Sequence, residues 1–277
     1  MSTLRDVVAV LDRLYDPRWA DDWDAVGTVA GDPDAAVSKV LLAVDPVRAV
    51  VDEAVDWGAD LLVVHHPLWL KGVTSVSATS PKGRIVHTLI SRGIALHTCH
   101  TNADCPPLGV SESMAFALGL GDVRPLETDA DDDGRPTDRG SGRIGTLDRP
   151  MRLDDFAQHV ARTLPSHHSA VRVAGDPDRM IETVALCGGS GDFLLPTAQS
   201  AGADAYVTSD LKHHPVSEHL EQAGACAVVD VPHWSAEWTW LPVAAAALTA
   251  SLPGLDVKVS TIVTDPWTGH VAGTVSV

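Results

Sequence analysis

Short, wholly apolar runs alternate along the chain with amphipathic stretches, and that alternation predicts the architecture. Leu4, Val7, Val8, Leu11 and Leu14 recur at helical spacing and predict an opening helix, followed by a loop carrying Trp19, Trp23 and Asp24. Positions 40–44 read as a buried strand, 47–57 as a helix and 61–64 as a second buried strand. Ser80 before Pro81 caps and opens a helix running to position 92, and 94–97 reads as a third strand. Strands apolar on both faces, separated by helices, predict an α/β fold with mainly parallel sheets flanked by helices.

The segment 128–142, with Asp129, Asp131, Asp132, Asp133 and several glycines, lacks apolar bulk and reads as an acidic linker. Beyond it, 153–164 is helical and short strands are expected near Val171 and Val184. Positions 257–263 and 270–277, flanking Asp265-Pro-Trp-Thr-Gly269, read as a β-hairpin. The second half echoes the first: Gly58-Ala-Asp60 returns as Gly202-Ala-Asp204, 144 positions later, each after a strand and a helix. His100-Thr-Asn-Ala-Asp104 is likewise echoed by His233-Trp-Ser-Ala-Glu237 at an offset of 133, the second copy lacking the loop 71–79. An internal duplication accounts for both matches and predicts two similar α/β units, 1–127 and 143–277, joined by 128–142.

Composition narrows the class. No apolar stretch is long enough to span a bilayer and no basic region precedes an apolar one at the N-terminus, so the expectation is a soluble, cytoplasmic protein without a membrane partner. Cys99, Cys105, Cys187 and Cys226 stand singly and read as reduced thiols rather than disulfides or a thiolate zinc site. With 20 Lys and Arg against 37 Asp and Glu, the net charge of −17 disfavours binding to a phosphate backbone.

Thirteen histidines change the picture. His65 and His66, followed by Pro67, lie where a buried strand ends, the position at which open α/β sheets build ligand sites. Neighbours on a strand point apart, so this pair is expected to serve two ions, or one ion and a substrate, rather than to chelate one ion jointly. His233 and Glu237, four apart, share one helical face and can grip a single ion. The same spacing at His100 and Asp104 follows a strand, where the two groups converge through a turn. If both halves face one crevice, His65, His66, Asp104, His233 and Glu237 supply three imidazoles and two carboxylates, a set suited to two divalent ions. Zinc, iron, manganese, cobalt or nickel fit such donors, whereas calcium and magnesium prefer all-oxygen sites.

His97, on the strand before His100, is expected to support the site from behind, while His87, His159, His167, His168, His219 and His270 read as surface or packing residues. Gly188-Gly-Ser-Gly191 follows a strand and precedes a helix, so its amides are candidates to cradle an anion, although such turns are often only tight turns. Asp210, Lys212 and His214, after the strand at 205–208, are placed to contact substrate or assist catalysis.

Taken together, the chain resembles the NIF-three-like family, also called GTP cyclohydrolase I type 2 homologues. The resemblance rests on Trp23-Asp-Ala-Val-Gly27, Gly58-Ala-Asp-Leu-Leu-Val-Val-His-His-Pro67, His100-Thr-Asn-Ala-Asp104, Gly188-Gly-Ser-Gly191, Ala205-Tyr-Val-Thr-Ser-Asp-Leu-Lys-His-His214 and His233-Trp-Ser-Ala-Glu237. It implies a homohexamer with a dinuclear metal centre. His65, Asp104 and Glu237 would hold one ion, His66, His233 and the shared Glu237 the other, with His100 beside the site as an occasional ligand. Pro232, Trp234 and Ser209 depart from the family pattern without removing a ligand. The short middle region marks the compact form, since longer members carry an additional domain there. The family name implies a metal-dependent hydrolase acting on a nucleotide or related small molecule, with Glu237, His100, Asp210 and His214 as candidates for acid-base work. The alternative is a metal storage or delivery protein, or a regulatory scaffold, without catalysis.

Overall fold

The computed structural model describes residues 2–165 and 169–271. In chain order the first elements are β1 (Ser2–Thr3), α1 (Leu4–Leu14), β2 (Gly27–Ala30), β3 (Ala36–Val37), β4 (Lys39–Ala43), α2 (Arg48–Trp57), β5 (Leu61–Val64), α3 (Pro81–Arg92), β6 (Ala95–Thr98), α4 (Thr101–Asp104) and α5 (Val110–Ala117). Then come β7 (Leu120–Ala130), β8 (Pro136–Arg152), α6 (Leu153–Thr163), β9 (Arg172–Ala174), β10 (Met180–Ser190), α7 (Leu195–Ser200), β11 (Ala205–Ser209), α8 (His213–Leu220), β12 (Ala227–Asp230), α9 (His233–Trp238), α10 (Trp240–Ser251) and β13 (Asp256–Val259). The fold is the expected α/β class, and the apolar runs at 40–44, 61–64 and 205–208 are its central strands.

Two compact units emerge, Met1–Ser113 with Trp240–Thr264, and Met114–Thr239 with Asp265–Val277. The first contains a five-stranded sheet in the order β13-β4-β5-β6-β2, parallel except for β2. Its core joins β4, β5 and β6 to α2 and α3 through Leu41, Leu62, Val64, Val51, Leu89 and Leu96. The second contains a six-stranded sheet in the order β7-β8-β10-β11-β12-β9, in which only β10, β11 and β12 run parallel. Parallel strands need cover on both faces, which is why β5 is buried at all four positions and β11 at all five.

The duplication is visible bond by bond. Gly58 and Gly202 both adopt left-handed φ, +70° and +75°, just past their helices, a conformation that suits glycine at a helix end. Two residues on, Asp60 Oδ2 accepts from the Ser38 and Lys39 amides at 2.8 and 2.9 Å, and Asp204 Oδ2 accepts from the Glu182 and Thr183 amides at 3.0 and 2.9 Å. Each aspartate thereby pins the start of one strand to the start of the next. Gly31-Asp-Pro-Asp34 and Gly175-Asp-Pro-Asp178 extend the repeat towards the N-terminus of each unit. A Cβ on Gly31 would lie 2.7 Å from Ala95 Cβ, and one on Gly175 would lie 2.9 Å from Ala227 Cβ.

Three expectations need correction. The segment 128–142 is no linker: it is the distal part of a β7–β8 hairpin, with Thr128 opposite Gly140 and Ala130 opposite Pro136. Asp131, Asp132, Asp133 and Asp138 face water on a two-stranded ribbon, whose polar pattern is easily taken for a connector. Nor do the units divide at 127 and 143, because the chain returns to the first unit, where β13 pairs parallel with β4 and closes an open sheet edge. The first arm of the expected hairpin, 257–263, is strand only as far as Val259, at the edge of that sheet. Residues 270 and 271 form no strand, and 272–277 lie outside the described residues, as do His167 and His168. Among the described residues no helix is long and apolar enough to cross a membrane.

His97 is buried on β6 with Nδ1 3.1 Å from Thr28 Oγ1, so it packs within the sheet rather than toward a site. Burial lowers its pKa from 6.5 to about 4. The unfolded chain then binds a proton that the folded chain refuses between pH 6.5 and 4, so stability is lost as pH falls through that window. His97→Gln is expected to flatten this part of the stability-pH curve in urea titrations. An unchanged curve would remove His97 as its source.

Candidate metal centre

In the first unit the site is made where β5 and β6 end. His65 and His66 continue the β5 ladder by their amides, His65 to Ala43 O at 3.2 Å and His66 to Val44 O at 2.9 Å. Their side chains nevertheless do not point apart. Extended geometry stops at Val64, the two ring centroids lie 5.1 Å apart, and one ligand atom from each of His65, His66 and His100 falls within 4.8 Å of the others. The expectation that adjacent histidines diverge fails because the period of two holds only within a strand.

Each imidazole is oriented through Nδ1. His65 Nδ1 donates to Cys99 O at 2.9 Å; since a carbonyl only accepts, this fixes the tautomer and puts the lone pair on Nε2. His66 Nδ1 lies 2.7 Å from Asp45 Oδ1, and Asp45 Oδ2 in turn accepts from Thr264 Oγ1. His100 Nδ1 lies 2.8 Å from Asp24 Oδ1, whose other oxygen accepts from Thr101 N at 3.0 Å and Thr101 Oγ1 at 2.5 Å. Burial opposes ionisation of Asp24, but the bonds from His100 and Thr101 outweigh it and hold this carboxyl well below the usual range. Three histidines whose Nδ1 atoms are engaged by acceptors each bring a ring nitrogen within 4.8 Å of the others, and imidazoles held through one nitrogen are typical of metal ligands. Asp104, at the end of α4, adds a carboxylate oxygen 3.7 Å from His65 Nε2. His100 therefore stands among the convergent nitrogens rather than behind them. Asp24 and Asp45, which hold His100 and His66, and Thr264, which holds Asp45, are partners of the cluster that the sequence did not assign. For Asp24 the signal was its place in Trp23-Asp-Ala-Val-Gly27; for the others there was none.

In the second unit α9 opens after Pro232, and its first turn brings His233 Nε2 to 2.7 Å from Glu237 Oε1, as the four-residue spacing predicts. Asp210 Oδ2 holds His233 Nδ1 at 2.7 Å. Burial alone would lower the His233 pKa, but the carboxylates of Glu237 and Asp210 overcome it and push it up to about 11. Asp210 takes a left-handed φ of +59°, a conformation that aspartate tolerates better than most residues, and Asp230 Oδ1 steadies the turn by accepting from Leu211 N at 2.9 Å. Asp210 is thus an orienting partner of His233. Lys212 is exposed and 3.9 Å from Asp192, while His214 lies exposed on α8 against His213, so neither is brought to the His233–Glu237 pair.

Gly188-Gly-Ser-Gly191 is not an anion cradle at a helix start. Its first three residues are still β10, and it is followed by a three-residue 3-10 turn. Its glycines serve packing. A Cβ on Gly189, at φ +71°, would lie 2.8 Å from Glu237 Oε1 and 3.5 Å from His233 Nε2. One on Gly191 would lie 2.5 Å from both Thr208 Oγ1 and Tyr206 Oη. Thr208 and Tyr206 donate to the carbonyls of Gly189 and Gly191, at 2.9 and 2.8 Å, and tie the segment to β11. Glu237 is thus buried against Gly189, where any Cβ would crowd its carboxylate. Imidazole nitrogens with carboxylate oxygens fit a borderline divalent metal.

The pattern of Duf34/NIF3 (NGG1p interacting factor 3) matches residues 2–266. A relative from Streptomyces coelicolor, named GTP cyclohydrolase 1 type 2 homolog, is 50% identical over 98% of this chain and 96% of its own length. One of the same name from Mycobacterium tuberculosis is 36% identical over 95% of this chain and 96% of its own, and its alignment of 370 positions shows that it carries residues this chain lacks. Among solved structures, the Staphylococcus aureus hypothetical protein SA1388 superposes with a TM-score of 0.88 at 29% identity, covering 96% of this chain and 98% of that one. A Bacillus cereus protein related to NIF3 gives 0.87 at 22% identity, over 96% and 98% of the two chains. The chain belongs to the Duf34/NIF3 family.

Proposed function

We propose that this protein is a divalent-metal-dependent hydrolase with a dinuclear centre, acting on a nucleotide or related small molecule. In this reading His65 and Asp104 with Glu237 hold one ion, and His66 and His233 with the shared Glu237 hold the other. The observation that carries it is the orientation of the imidazoles: His65, His66, His100 and His233 each have Nδ1 engaged by a carbonyl or carboxylate, the arrangement usual for metal-ligating histidines. The two ligand sets are also complementary, since the first is rich in imidazole and the second supplies the buried carboxylate. The names of the relatives, GTP cyclohydrolase 1 type 2 homolog, support a nucleotide substrate.

Bound divalent ions would supply Lewis acidity and make water nucleophilic near neutral pH. The chain's own residues would do the rest. Asp45, Asp24 and Asp210 keep the imidazoles in the tautomer that offers Nε2, and His100, held by Asp24, is placed to move a proton at that nitrogen when it is not a ligand. Association of several copies, up to the hexamer implied by the family, is part of the same proposal.

The test is elemental analysis of the purified chain with His65→Ala and His233→Ala, followed by a screen of nucleotides and phosphoesters. The expected result is two ions per wild-type chain, about one in each variant, and turnover lost in both. No metal in the wild type, or unchanged content in both variants, overturns the dinuclear reading. Two ions without turnover overturn the hydrolase and leave metal handling.

A further inference from the structure

Within the first unit, the loops after β4 and β5 and the start of α3 line a half-open cavity of about 530 Å³, within the range of small-molecule sites. His66 lines it, so one ring belongs both to the cavity and to the imidazole cluster. Its walls are mainly apolar: Pro46, Val47, Pro67, Leu68, Pro81 and Ile85.

Three cations line the same space, in a chain whose net charge is −17. Arg48 spends its guanidinium on Asp52, with Nε 2.8 Å from both carboxylate oxygens, and is neutralised. Lys82 and Arg84 are not. Lys82 Nζ donates to Leu68 O at 2.6 Å and Arg84 Nε to Ala78 O at 3.2 Å; both acceptors are neutral, and among the described residues neither cation has a carboxylate partner. These bonds orient the heads and leave most of their N–H donors for a ligand. The one carboxylate on the wall, Asp45, directs its oxygens to His66 and Thr264.

We infer that this cavity binds a phosphorylated small molecule of nucleotide type, with its phosphate on Lys82 and Arg84 and its ring against the proline and leucine walls beside His66. A flat ring suits stiff apolar walls, and a phosphate suits two oriented cations that no carboxylate neutralises. The inference rests on the proposed hydrolase only for the step that makes the bound molecule a substrate; binding itself needs no metal.

Calorimetric titration of the intact chain with guanosine monophosphate and with guanosine tests it. The expected result is a preference for the monophosphate of about tenfold or more, as for charge-assisted hydrogen bonds. It should fall to about twofold or less in the Lys82→Gln/Arg84→Gln double variant, with metal content and melting temperature unchanged. It should persist in His65→Ala. The monophosphate should also protect Lys82, but not Lys71, from acetylation in the unaltered chain. Equal binding of the two probes, or no binding of either at millimolar concentration, overturns the inference. So does a preference that survives the double variant but vanishes in His65→Ala, which would put the phosphate on a metal. A preference kept by a chain that holds no metal upholds the cavity while the hydrolase reading fails.

Discussion

Glu237→Gln is expected to lower metal affinity by about 100-fold or more, beyond the range typical of an orienting residue, while leaving the fold intact. Glutamine keeps the shape of the side chain but withdraws the charge, and in the proposed centre that charge serves both ions. Its metal-free consequence is separately measurable. With Glu237 gone, the largest influence raising the His233 pKa is lost, so this imidazole should titrate well below its present value of about 11 by NMR. Gly189→Ala tests position rather than charge. The new Cβ would meet Glu237 Oε1 at 2.8 Å, and at φ +71° it also carries backbone strain. Gly202→Ala supplies the control, because Gly202 has a similar φ of +75° but open space around it. Both should lose about 1–2 kcal/mol of stability to the left-handed backbone, and only Gly189→Ala should lose metal affinity, by about 10–100-fold. Equal metal affinity in the two alanine variants would show that Glu237 tolerates displacement and that the glycine serves the chain rather than the site.

Much of this was legible in the sequence, for a physical reason. Buried parallel strands leave uninterrupted apolar runs, so 61–64 was readable to the residue, as was the Ser80-Pro81 helix start, where Ser80 Oγ accepts from Gly83 N at 3.1 Å. The His-x-x-x-Glu spacing was readable because α9 converts four residues into one face. What was not legible depends on partners distant in sequence. Asp45 reaches His66 from 21 residues away and Asp24 reaches His100 from 76, and an aspartate in a loop looks the same whether it orients an imidazole or faces water. The β7–β8 ribbon was missed because a hairpin solvated at its tip carries no apolar alternation there. The return of β13 to the first sheet was missed because register with β4 leaves no local trace. Gly189 was seen as part of either an anion cradle or a tight turn, and its contact with Glu237 was not, since a glycine that admits a carboxylate and one that cradles an anion read alike.

The largest expected loss of stability comes from Trp240→Ala. Trp240 is fully buried in the first unit, with its ring edge-on to Tyr15 at 5.3 Å and tilted against His65 at 5.6 Å. Its Nε1 donates to Tyr15 Oη at 3.0 Å, Tyr15 O accepts from Asn102 Nδ2 at 2.6 Å, and Asn102 Oδ1 accepts from His100 N at 2.9 Å. The back wall of the imidazole cluster is therefore one continuous set of contacts. Truncation to alanine should cost about 3–5 kcal/mol through the cavity and lost contacts, read as a lower urea midpoint at unchanged slope. Trp240→Phe should retain most of the packing and cost about 1–3 kcal/mol, much of it from the buried Tyr15 hydroxyl that loses its donor. Because the wall touches His65 directly and reaches His100 through Asn102, metal affinity should fall with stability in the alanine variant and far less in the phenylalanine one. If both variants lose metal equally, the indole N–H rather than the bulk of the ring fixes the histidines. If neither does, the imidazoles are held by their Nδ1 partners alone, and Asp24, Asp45 and the Cys99 carbonyl carry the whole task of aiming them.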